Sequence, residues 1–160
     1  MESSLQTEEE HSSSAKLAGQ ALSFLMHTGL ALLTWAALMA LGYVLNPVGV
    51  PQIAILALSF AVPLVVGLMV AKSRGDEMAT TIWLLGLIWF LIIALWILDM
   101  PTGPNQCFQC GATEKLTRTF FSFPYPSGLI DNDGPFLATW PAAALMGYAL
   151  GASIGLRTRS

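Results

Sequence analysis

The chain has 160 residues, 54% of them hydrophobic and only 11% charged, whereas an average soluble domain carries roughly 25% charged residues. With a mean hydropathy of +0.63, it cannot cover itself with a polar surface, which excludes an ordinary soluble domain. Seven Lys and Arg against ten Asp and Glu leave a net charge of −3, which excludes the basic footprint of a nucleic-acid partner.

Residues 1–16 hold Glu8, Glu9, Glu10 and five serines and almost nothing apolar. Such a segment cannot bury enough surface to offset its ordering, so a disordered acidic tail is expected. Residues 17–45 follow without a single Asp, Glu, Lys or Arg. That length exceeds the ~20 residues needed to cross a hydrocarbon core. Its acidic flank and its length argue for an uncleaved first helix rather than a signal peptide. Gln20, Ser23, His27 and Thr34 share one face of that helix and are expected to look into the bundle. An ionisable residue inside a membrane makes His27 a candidate proton or ligand site. No Asp, Glu, Lys or Arg lies inside any span to pair with it, and the favoured reading is a neutral, hydrogen-bonded histidine.

The second apolar run, 52–71, contains Pro63, which removes one backbone hydrogen bond; Ser59, four residues earlier, is placed to help re-satisfy the break. The third, 80–98, is bounded by Asp76 and Glu77 before it and Asp99 after it. A connection of roughly 36 residues, 99–134, then precedes the fourth run, 135–156, and a short basic tail, 157–160. The expected fold is thus all-α, a bundle of four transmembrane helices with an extracytoplasmic loop between the third and fourth. With both termini and the 72–79 turn on one side, that side holds Lys16, Lys72, Arg74, Arg157 and Arg159, leaving Lys115 and Arg118 opposite. The positive-inside rule therefore puts both termini in the cytoplasm of a plasma or inner membrane.

The 99–134 connection is rich in Phe and Pro, and is expected to form a cap on the outer surface with a short helix over 113–121. It contains both cysteines, Cys107 and Cys110. On an oxidising side the pair is expected to form a disulfide. The spacing also suits a redox-active dithiol or half of a zinc site. Zinc would need two further ligands, and the chain offers no other cysteine and no histidine on that side, so no metal is expected.

Four spans and one Cys-x-x-Cys motif resemble the bacterial disulfide-bond-forming membrane oxidases and the vitamin K epoxide reductases. That resemblance implies electron transfer from Cys107 and Cys110 to a quinone. Those families relay electrons through a second cysteine pair, which this chain lacks, so the likeness stops at span count and one motif.

In the last run Ala143, Gly147, Gly151 and Gly155 recur every fourth position. Small residues at that spacing let a second helix backbone approach closely. The partner is expected to be another span of this chain, with a second copy or another protein as the alternative. No phosphate-binding loop, nucleophile elbow or paired metal-spaced histidines occur, so an enzyme is the less favoured reading and no cofactor is expected. The leading expectation is a small multi-pass membrane protein acting by association, as a subunit or partner of a larger membrane assembly or as a homo-oligomer in the lipid bilayer. A thiol–disulfide oxidoreductase with a quinone is the alternative, and an oligomeric pore or carrier a third.

Overall fold

The computed structural model describes residues 2–45, 52–99, 111–121 and 134–159. Its elements, in order, are α1 (Glu2–Leu45), α2 (Gln52–Arg74), a 3-10 turn (Glu77–Thr80), α3 (Trp83–Asp99), α4 (Ala112–Phe121) and α5 (Gly134–Arg157). Among the described residues there is no strand.

Among the described residues, three stretches are long and apolar enough to cross a membrane: Ser13–Leu41, Ile53–Arg74 and Glu77–Asp99. α5 is 24 residues long but is not among them. It is instead the most enclosed helix: Ala138, Trp140, Ala142, Ala144, Leu145, Tyr148, Ala149 and Ala152 are all buried.

The acidic segment expected to be a disordered tail is helical from Glu2, continuous with the first apolar run in a helix of 44 residues. No proline and, before Gly19, no glycine interrupts this stretch. Its glutamates also stand near a helix N-terminus, where negative charge is favourable. α4 begins one residue before the expected short helix and ends with it at Phe121. It does not simply rest on the ends of the bundle, for Phe120 is buried and packs with Ile93, Ile97 and Ala138. The rings of Phe120 and Phe90 lie 4.2 Å apart. Thr139 Oγ1 donates to the Phe120 carbonyl at 3.0 Å, tying the end of α4 to α5. Lys115, placed by its sequence context in an outer cap, is only 8% exposed.

α2 and α5 form the central seam. A Cβ added at Gly147 would strike the Phe60 carbonyl, at Gly151 the Leu64 carbonyl, and at Gly155 the Leu68 carbonyl oxygen at 2.7 Å. Reciprocally, a Cβ at Gly67 would strike the Tyr148 carbonyl. Backbone thus lies on backbone, an approach permitted because the α5 glycines, and Gly67 on α2, present no side chain at these points. Contacts that rise together along both helices make them parallel. Lys72, Arg74, Arg157 and Arg159 accordingly share one end of the bundle. Ala143, one turn before Gly147, is half-buried.

Pro63 is buried within α2. The Ser59 hydroxyl, expected to help at the proline break, is buried with no hydrogen-bond partner among the described residues. Cys107 and Cys110, and with them the expected disulfide and its redox and zinc alternatives, lie outside the described residues.

Candidate functional site

α1 meets the core along one strip. Phe24 and Ala31 pack into the main apolar cluster with Ala71, Ile82, Leu145 and Tyr148, and His27 and Thr28 between them are buried. Spacings of three, four and seven residues put these four on one helical face. The neighbouring faces are left open: Leu22, Leu25 and Leu33 are 70%, 64% and 65% exposed.

Within the strip, His27 is wholly enclosed and has a partner at each ring nitrogen. Nδ1 lies 2.8 Å from the hydroxyl of Tyr148 in α5. Nε2 lies 3.2 Å from Oδ2 of Asp76, the residue that caps the 3-10 turn after α2. Ser23, one turn before His27, donates its hydroxyl to the same carboxylate oxygen. The other oxygen, Oδ1, accepts the Met78 amide at 2.9 Å. With the proton on Nε2, His27 donates to Asp76 and its bare Nδ1 accepts from the Tyr148 O–H; the tautomer sets the direction of both bonds. The hydrogen-bond donors are held by three separate parts of the chain, so the cluster joins α1, the α2–α3 turn and α5 at a single point.

The Asp76 carboxyl is held below its ordinary value of 3.8, first by the Ser23 hydroxyl and then by the Met78 amide and His27, against the opposing effect of partial burial. Its side chain is 29% exposed, so the cluster opens toward solvent on the Asp76 side and is closed at Tyr148.

Of the four polar residues expected to share an inward face, only Ser23 and His27 come together. Gln20 is exposed. Thr34 turns back on its own helix, donating Oγ1 to the Leu30 carbonyl at 2.7 Å. His27 does meet a carboxylate after all, for Asp76 reaches it from outside the spans. A sequence reading that treats Asp76 only as a charge ending an apolar run misses this role. Tyr148 is missed for a different reason, standing beside Gly147 in a stretch read for its small residues. The turn itself carries a local signal, since Gly75 takes φ +68°, a conformation suited to a helix C-terminus, and Asp76 follows as an N-cap.

Among the described residues no group of three or more His, Cys, Asp or Glu is placed to hold a metal ion. No protein-family model matches the chain, and no curated protein or solved structure matches it.

Proposed function

We propose that the chain is a small plasma-membrane protein with four spans, α1, α2, α3 and α5, that acts by association as a subunit or partner of a larger membrane assembly. Both termini are placed in the cytoplasm. α5 supports a fourth span by length, about 36 Å at 1.5 Å per residue, and by carrying its single charged residue, Arg157, at its last position. The gathering of Lys72, Arg74, Arg157 and Arg159 at the shared end of α2 and α5 supports the orientation.

The observation that carries the association reading is the state of α1. The glycine line of α5 is taken up by α2 and is not free for an outside helix. α1, by contrast, touches the rest along one strip only, and just 11% of its most apolar stretch is buried, against 22% for the span that includes α3. A partner helix therefore has α1 to pack against.

A photo-crosslinking residue at Leu22 or Leu25, compared with one at Leu91 or Leu95 of α3, tests the proposal in native membranes. The α1 positions are expected to capture protein, either another subunit or a second copy, and the α3 positions lipid. Capture of lipid alone at all four positions would remove the association role.

A further inference from the structure

Two cavities share Arg74 as a common wall. Between α1 and α2 runs a groove of about 520 Å³ lined by Met26, Leu30, Leu33, Val70, Ser73 and Arg74. Beside it lies a recess of about 360 Å³ lined by Arg74, Gly75, Leu156 and Arg159. The first is walled mainly by apolar side chains, with Met26, Leu30 and Leu33 following one side of α1 at helical spacing. The second presents two guanidinium groups at the basic end of the bundle.

Among the described residues neither Arg74 nor Arg159 has a carboxylate within ion-pair distance. Asp76 is next in sequence to the recess, yet its oxygens are engaged by Ser23, His27 and the Met78 amide. Glu77 is exposed and caps no arginine. Arg74 donates Nη1 to Met26 Sδ at 3.4 Å, and a thioether is a weak acceptor that a charged oxygen would displace. Ser73 adds no donor, because its hydroxyl is given to the Val70 carbonyl. Arg159 is seated by glycine: its guanidinium lies against Gly75, where a Cβ would come within 3.1 Å of Arg159 Cζ.

Paired guanidiniums match phosphate oxygens in geometry as well as charge. An apolar groove that ends on Arg74, with Arg159 in the adjoining recess, at the end of the bundle where the basic residues gather, matches a phosphate carried on an acyl chain. We infer that Arg74 and Arg159 bind the phosphate of an anionic phospholipid whose acyl chain lies in the α1–α2 groove. The inference rests on the four-span reading. The paired positive charge selects an anionic headgroup over a zwitterionic one, and the groove selects a lipid over free phosphate.

The test uses the full-length chain in detergent micelles, with equimolar phosphatidylglycerol and phosphatidylcholine of identical chains and native mass spectrometry to count retained lipid. The wild type is expected to retain phosphatidylglycerol preferentially. Arg74→Gln with Arg159→Gln should lower that retention at least roughly tenfold. Lys72→Gln, which removes a neighbouring exposed charge, should leave it unchanged, and millimolar inorganic phosphate should not displace the lipid. Equal retention of the two lipids, an equal loss in Lys72→Gln, or full displacement by phosphate each overturns the inference. Circular dichroism checks that the variants remain helical, and a Leu33→Trp variant, which fills the groove and leaves both arginines in place, should also lose the lipid. Alkaline carbonate extraction of the wild type separates the two readings. A chain that stays in the membrane without lipid preference sinks this inference alone, whereas a chain that washes out sinks the four-span reading beneath it.

Discussion

The seam between α2 and α5 and the strip that joins α1 to them hold helices together by opposite means. In the seam the side chains are withdrawn, and glycines bring carbonyl oxygens of one helix against the backbone of the other over several turns. Along α1 several large side chains are exposed, and the helix is joined by three buried residues, His27, Thr28 and Ala31, with Phe24 partly buried beside them; of these His27 bonds across to Tyr148 and Asp76. Many weak contacts of dispersion type, each worth a fraction of a kcal/mol, make the seam. A few polar contacts that lose their value if any one member is altered make the strip. The seam should therefore be sensitive to volume and indifferent to pH, and the strip the reverse.

The largest effect is expected in the seam. In Gly151→Leu the new side chain must occupy the place of the Leu64 carbonyl, which cannot yield without parting the helices. Overpacking of this kind typically costs about 1 to 3 kcal/mol and more where backbone is the obstacle. Ser153→Leu, two residues on, enters a recess between α5 and α3 lined by Thr80, Trp83 and Met146 and is expected to change stability by less than about 1 kcal/mol. Thermal unfolding in mild detergent compares them, and equal losses would refute the backbone-contact account.

Next in size is His27→Leu. It keeps the bulk of the side chain but strands the Tyr148 hydroxyl and one acceptor position of Asp76, at a cost of about 1 to 3 kcal/mol. The loss should fall on α1 alone. Distances between spin labels on α1 and α2 should broaden while those between α2 and α5 stay sharp. Broadening of both pairs would show that the strip and the seam are one cooperative unit.

A smaller, pH-dependent effect follows from Asp76. Since its carboxyl in the folded chain titrates below 3.8, the stability it lends is fully present above that value and is lost as pH falls through the lower, folded one. Acid should loosen α1 before it touches the seam, as read by the same label pairs. In Asp76→Asn that acid-dependent component should vanish; an unchanged acid profile would assign it to other carboxylates.

The smallest effect is expected at Thr34, whose hydroxyl bonds only within its own helix. Thr34→Val should shift the unfolding temperature by no more than about 0.5 kcal/mol of stability would. A shift as large as that of His27→Leu would give Thr34 an interhelical role.

These two joints also differ in how far the residues announce them. The glycine line of α5 carries its geometry in its spacing, because four-residue intervals stay on one face whatever the partner; only the partner's identity, α2, needs the folded chain. The lengths of α2, α3 and α5 follow from apolar runs and the charges that end them, to within a few residues. The His27 cluster is another matter. His27 and Asp76 are 49 residues apart, and His27 and Tyr148 are 121 apart, so no local period links them. Asp76 carries two meanings, a charge that ends an apolar run and a carboxylate that turns inward, and only the packing of α1 against the turn distinguishes them. The helical start of α1 at Glu2 is likewise illegible from composition, since Ser and Glu are common both in solvated tails and in exposed helix.

The length of α1 has a mechanical consequence. At about 1.5 Å per residue, its 44 residues measure about 66 Å, well beyond the ~30 Å of a hydrocarbon core. Twenty-five residues of that rod precede His27 and eighteen follow it. The buried histidine thus stands near the middle of a long arm and is the place where it is pinned. A rod pinned there behaves as a lever, and a tilt that swings the tip near Glu2 one way swings the Leu45 end the other way through a slightly shorter arc.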